Sequence, residues 1–361
     1  MVEVLVAAIG VLLIAIALLD AFETIVLPRR VARQFRLARL FFLYTWRAWA
    51  ALASKVPARA RETYLSFYGP LSLIFLVAIW ATLMIVGFGF VGWGFGSAVT
   101  TSGDAGLGDS LYFSGTTFFT LGLGDVRPDS TFSRVVTVVE AGAGFGFLAL
   151  VITYLPVLYQ AFSRRELSVS LLDARASSPP SAGEFFRRLG AEGDIEGFSD
   201  LLQEWERWAA ELLEIHLSYP VLALYRSQHE RQSWLAALTL ILDVCALVLA
   251  GGPERAKGKA RLTFSMARHA AVDLSQVLGA GLDPNVDRLP EPDFDRLVGV
   301  GGALLRDVDE DKLTKLRGSY EPNIAALSHL LSMALPAWLP ADGQDAWQSS
   351  PWGELESAIE D

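Results

Sequence analysis

Six consecutive residues, Thr120-Leu121-Gly122-Leu123-Gly124-Asp125, join a hydroxyl, two glycines at alternate positions and a carboxylate. A dehydrated monovalent cation needs several weak oxygen ligands at once. Successive backbone carbonyls supply them if all face one axis, which requires a backbone of alternating handedness. Residues with a Cβ resist the left-handed conformation, and glycine accepts it. Gly122 and Gly124 stand where that alternation needs them. Thr120 adds a hydroxyl at the inner end, and Asp125 puts a charge at the outer exit.

Such a loop works only inside a low-dielectric barrier, and the composition supplies one. Of 361 residues, 52% are hydrophobic, and the mean hydropathy is +0.36. The charge is split. Through Arg165 there are 13 Lys and Arg against 9 Asp and Glu, and beyond it 17 against 31. A membrane half precedes an acidic half, and nothing in that balance suits a nucleic acid. Cys245 is the single cysteine, so no intrachain disulfide forms and no CxxC zinc spacing exists. His216, His229, His269 and His329 are scattered, which argues against a metal centre.

Residues 4–27, 70–95 and 132–162 are each long and apolar enough to span a bilayer. The opening Met-Val-Glu lacks the basic start of a signal peptide, so the first segment is expected to stay. Basic residues follow the first span after Pro28 (Arg29, Arg30, Arg33, Arg36, Arg39). They precede the second (Lys55, Arg59, Arg61) and close the third (Arg164, Arg165). The positive-inside rule puts all of these in the cytoplasm and the N-terminus outside. Residues 37–54 are apolar between two basic flanks and are expected to lie along the inner interface as an amphipathic helix with Trp46, Arg47 and Trp49 at headgroup level. Arg30, Arg33, Arg36 and Arg39 recur every third residue like a voltage-sensing helix. Only one span precedes them, so a lipid-facing cytoplasmic helix is the preferred reading.

Between the second and third spans, residues 110–120 predict a helix of about three turns capped by Asp109 or Ser110, too short to cross. A short helix followed by glycine-rich backbone is a re-entrant loop, tolerated at membrane depth only when buried or lining a water-filled path. Its C-terminal end, partially negative, favours a cation at the membrane centre.

This segment resembles the pore loop of potassium channels, whose filter pattern is Thr-Val-Gly-Tyr-Gly-Asp. The resemblance covers roughly residues 66–165. Tyr112 and Phe113 match the family's aromatics at the start of the pore helix, Pro128 its proline after the filter, and Gly144 its hinge glycine two dozen residues past the filter threonine. It implies K+ ions held at Thr120, Leu121, Gly122 and Leu123, a filter from Thr120 to Gly124 with Asp125 at its exit, and gating around Gly144 and Pro156. Thr116 stands where some members carry an acid behind the filter. Leu123 replaces a tyrosine whose hydroxyl braces the filter, and Phe119 replaces a threonine or serine. One pore loop per chain implies a homotetramer in a plasma membrane. K+ is the transported ion, and no cofactor or enzyme activity is implied.

Asp104, Asp109, Asp125 and Asp129 would make an acidic outer mouth, with Asp109 better read as a cap. Gly142, Gly144 and Gly146 suit either close helix packing or bending. Pro156 should kink the inner helix. Glu140, ionisable within a span, is expected to brace the pore helix through Thr116 or Thr117, with a water-filled cavity as the alternative. Asp20 and Glu23 should pair with the arginines after Pro28 or with a neighbouring helix.

The expectation is an all-α membrane protein: three transmembrane helices plus a re-entrant pore helix and filter, followed by a helical cytoplasmic domain. Its parts are residues 1–27, a basic interfacial segment 28–65, a pore domain 66–165 and an acidic domain 166–361. In the last, residues 198–217 and 225–251 have helical spacing, 176–183 and 281–295 read as loops, and the chain from Ala341 reads as frayed. Residues 234–250 are apolar around Asp243 and read as a buried central helix in preference to a fourth span. No pattern there names a regulatory ligand or a catalytic constellation. Two other readings are a weakly selective cation channel and a membrane-anchored signalling protein with a vestigial pore.

Overall fold

The computed structural model describes residues 1–27, 36–96, 98–100, 103–104, 106–228, 232–305 and 307–339. Pro28, Arg29, Arg30, Arg33, His229 and the tail from Ala341 lie outside the described residues, as does the side chain of Asp104. The chain is an all-α membrane protein that divides into two compact units. The first comprises residues 1–57 and 67–160, the second residues 58–66 and 161–361.

In the first unit, helix α1 (Val2–Ala21) ends in a π-helical turn (Phe22–Val26), and α2 (Leu37–Ala53) follows. Helix α4 (Tyr68–Gly94) packs against α1 through glycines. A Cβ at Gly10 would lie 2.5 Å from the Gly87 carbonyl oxygen, and one at Gly94 would lie 2.5 Å from that of Glu3. Residue 3 thus meets residue 94 and residue 10 meets residue 87, so the two helices run antiparallel. Asp20 is fully buried. Its carboxylate accepts from the Ala38 amide at 3.0 Å, capping α2, and from Trp80 Nε1 at 2.8 Å. Glu23 pairs with Arg36 at 3.4 Å, and Arg36 also donates to Thr24 Oγ1. Arg36 therefore docks on the end of α1, a correction to its reading as a lipid-facing charge.

Helix α5 is Leu107–Phe118, three residues earlier at its start than the sequence suggests. Asp109 is not the N-cap. It sits in the first turn and reaches back to accept from the Gly106 amide at 2.9 Å. Twelve residues make about 18 Å of helix, short of the ~30 Å hydrocarbon core. A small sheet of order β2-β1-β3 joins β1 (Ala98–Thr100), β2 (Gly103–Asp104) and β3 (Val126–Pro128), antiparallel throughout. Strands of two or three residues carry no readable period, so the sequence did not announce them. Pro128 ends an edge strand, where its missing N–H costs nothing.

Helix α6 (Thr131–Ala176) runs unbroken past Pro156 and well beyond the expected span. Its residues to Gln160 belong to the first unit, and those from Ala161 to the second.

The second unit also holds α3 (Ala58–Ser66), α7 (Ala182–Glu192), α8 (Ile195–Ser218), α9 (Trp234–Gly251), α10 (Lys257–Leu278), α11 (Glu291–Gly301), α12 (Glu310–Gly318) and α13 (Glu321–Leu331). The helix expected from residue 225 starts only at Trp234, where Ser233 caps it by accepting from Ala236. Among the described residues, four helical stretches are long and apolar enough to cross a membrane, α9 among them. Within α9, 89% of the apolar window is buried, against 17% in α1 and 11% in α6. It is the central helix of this bundle. Asp243 is tolerated there because Arg288 pairs with it through both terminal nitrogens and Tyr320 donates to it at 2.6 Å. Arg165, read from sequence as a basic residue at the membrane edge, is buried here. It donates to the Leu222 and Tyr225 carbonyls at 2.8 and 3.0 Å and pairs with Glu166.

Candidate functional site

The loop after α5 is built on backbone handedness. Thr120, Gly122 and Gly124 have φ of 57°, 59° and 81°. Every second residue is left-handed, at the two glycines the spacing pointed to and also at Thr120. A threonine in that region is strained by its Cβ, and nothing in its residue type marked it for this conformation. The Leu121 amide turns back to the Thr116 carbonyl at 2.7 Å, and the Thr120 amide to Thr117 at 3.0 Å. The last carbonyls of α5, orphaned at a helix end, are thereby used to anchor the loop. In the single chain the side chains of Leu121 and Leu123 are exposed, 61% and 64%.

Two side chains bear on the C-terminal end of the loop. The Tyr112 hydroxyl, on α5, faces the Asp125 carboxylate. Arg127, on β3, donates from Nε to the Gly124 carbonyl at 2.9 Å. The strand pairing of Val99 with Arg127 and of Thr100 with Val126 ties this end of the loop to the linker after α4. Arg127 was not singled out by sequence reasoning, which looked for acids at the mouth. Its spacing of three residues from Gly124 was the available signal.

Behind the loop, α5 and α6 meet in register. Glu140 and Ser114 are hydrogen-bonded. One turn further along both helices, Gly144 lies against Phe118: a Cβ at Gly144 would fall 2.1 Å from the Phe118 carbonyl oxygen. Among the described residues, Gly142 and Gly146 have no such neighbour. The partner of Glu140 is thus Ser114, not Thr116 or Thr117. The helical period puts Ser114 and Phe118 on the face toward α6, while the Thr116 hydroxyl donates to the Phe113 carbonyl of its own helix at 2.9 Å. Phe118 packs with Ala17, Ala81, Met84 and Phe88 in one core cluster, so the base of the loop rests on α1 and α4 as well. Phe113 lines a small cavity with Ser114 and Glu140. Pro156 lies far along α6 from this contact, inside a continuous helix.

Residues 73–160 match a family described as ion channels. An uncharacterized membrane protein of Bacillus subtilis (strain 168), YdjJ, is 27% identical over 241 residues. These cover 64% of this chain and 68% of that protein. No solved structure matches.

Proposed function

We propose that the chain is one quarter of a homotetrameric, potassium-preferring channel of the plasma membrane, passing ions downhill without catalysis. The carrying observation is the left-handed backbone at Thr120, Gly122 and Gly124, the alternation that a ring of inward carbonyls requires. The ion-channel family match over 73–160 covers this loop, the whole of α5, most of α4 and α6 as far as residue 160. Thr120, Leu121, Gly122 and Leu123 are the proposed K+ ligands, Asp125 the exit acid, and α6 the inner helix that gates around Gly144 and Pro156. A single loop supplies one side of a pore, and fourfold cyclic symmetry closes it. The largely exposed apolar surface of α6 suits burial against other subunits. The N-terminus is placed outside and residues 166–361 in the cytoplasm, by the basic flanks.

Purified protein in liposomes should release a K+ gradient in a barium-sensitive way. Absence of flux at every pH and calcium concentration tried would sink the reading. A weakly selective cation pore is the second reading, favoured by Leu123, whose side chain has no polar atom to brace the loop.

A further inference from the structure

Ser114 is almost wholly buried, and its hydroxyl touches two oxygens: the Ile85 carbonyl on α4 at 2.7 Å and Glu140 Oε1 on α6. A serine hydroxyl owns one hydrogen. A carbonyl owns none, and neither does a carboxylate. With an ionised Glu140, one hydrogen faces two acceptors and one contact goes unmade. With a neutral acid the chain closes: Glu140 donates to Ser114, and Ser114 donates to Ile85. We propose that Glu140 binds a proton here and that the chain Glu140–Ser114–Ile85 is a proton-dependent clasp holding the inner, pore and outer helices together behind the filter.

The surroundings agree. Beside the clasp lies a cavity of about 20 Å³, lined by the hydroxyl-bearing Ser110, Ser133 and Thr137 together with Phe88 and Val136. That is room for about one water molecule, with enough polar partners to hold it. Among the described residues, no cation on these helices is placed to stabilise a carboxylate. Helix α4 carries no Asp, Glu, Lys or Arg from Tyr68 to Gly94. On α5 the ionisable groups are Asp109, engaged with the Gly106 amide, and Tyr112, which faces Asp125. On α6 the nearest is Arg134, exposed and six residues away.

Loss of the proton leaves the Ser114 hydrogen to only one of its two acceptors. The carboxylate then draws water into the cavity, and α6 loosens from α5 one turn above the Gly144–Phe118 contact. Because Phe118 leads into the filter, the state of this carboxyl reaches the conducting loop. This last step rests on the proposed channel function, whereas the proton site does not.

Two measurements on the full chain in lipid separate the parts. Infrared spectroscopy at neutral pH should show a protonated carboxylic-acid carbonyl band that disappears in Glu140→Gln. A wild-type spectrum without that band overturns the proton site. Potassium flux should fall as pH is raised through the alkaline range in the wild type. In Glu140→Gln, whose amide still donates to Ser114, that pH dependence should be lost. A pH dependence unchanged by Glu140→Gln, or none in the wild type, overturns the coupling. A chain with the band but no flux at any pH would fail as a channel and leave the proton site standing.

Discussion

At the scale of single residues, the candidate site separates backbone demands from side-chain demands. Gly144 was read from sequence as a hinge, and the structure gives it a packing task against the Phe118 carbonyl. The two tasks predict different things. Gly144→Ala should destabilise the protein by about 1–3 kcal/mol, as overpacking against a rigid backbone does, whereas Gly142→Ala should be near neutral. Thermal melting of the two variants in detergent checks this, and equal melting temperatures would remove the packing role. Leu123→Tyr restores a hydroxyl to the loop and should raise the preference for K+ over Na+, read as a shift in reversal potential. No shift would mean that stiffness at position 123 does not set selectivity. Gly122 and Gly124 were legible because φ > 0 leaves a mark on residue type. Thr120 was not, because its left-handed backbone is imposed by its neighbours and not by its own side chain. The partner of Glu140 was missed for a related reason. Spacing says which face a residue shares but not how far two helices are rotated about each other.

At the scale of elements, helix existence was easier to read than helix ends. The spans and α9 follow from long apolar runs, while the starts of α5 and α9 depend on Asp109 and Ser233 satisfying particular amides. In the second unit, α6, α8 and the turn Pro220–Leu224 converge on a buried pair, Arg165 and His216. The His216 Nδ1–H donates to the Leu212 carbonyl at 2.7 Å, which leaves Nε2 as acceptor toward Arg165. Burial first, then the Arg165 charge, pushes the imidazole down from 6.5 to about 3. The folded form therefore resists a proton that the unfolded chain accepts. Stability is full above pH 6.5 and should fall as pH drops from there toward 3, by on the order of 1.4 kcal/mol per unit. The Trp234 ring lies tilted against the imidazole, 4.7 Å between centroids, and provides a fluorescence signal. In His216→Gln this component of the acid sensitivity should vanish. An unchanged pH profile of melting would show that His216 does not carry it.

At the scale of the whole molecule, the charge split along the chain and the division into two units tell related stories, though not with the same boundary. The acidic half was counted from residue 166, while the second unit takes in residues 58–66 and starts again at Ala161. A linear reading could not assign residues 58–66 to a bundle formed a hundred residues later. The proposed assembly is a matter of symmetry: a single chain presents one loop with exposed Leu121 and Leu123, and the proposed channel takes four of them to surround an ion. The central claim is that the ladder from Thr120 to Gly124 conducts K+ selectively, and one recording tests it most directly. Purified protein in a planar bilayer, with K+ on one side and Na+ on the other, should give a current whose reversal potential lies toward the K+ equilibrium value and which Gly122→Ala abolishes. A reversal potential near zero, or a current unchanged by Gly122→Ala, would contradict it.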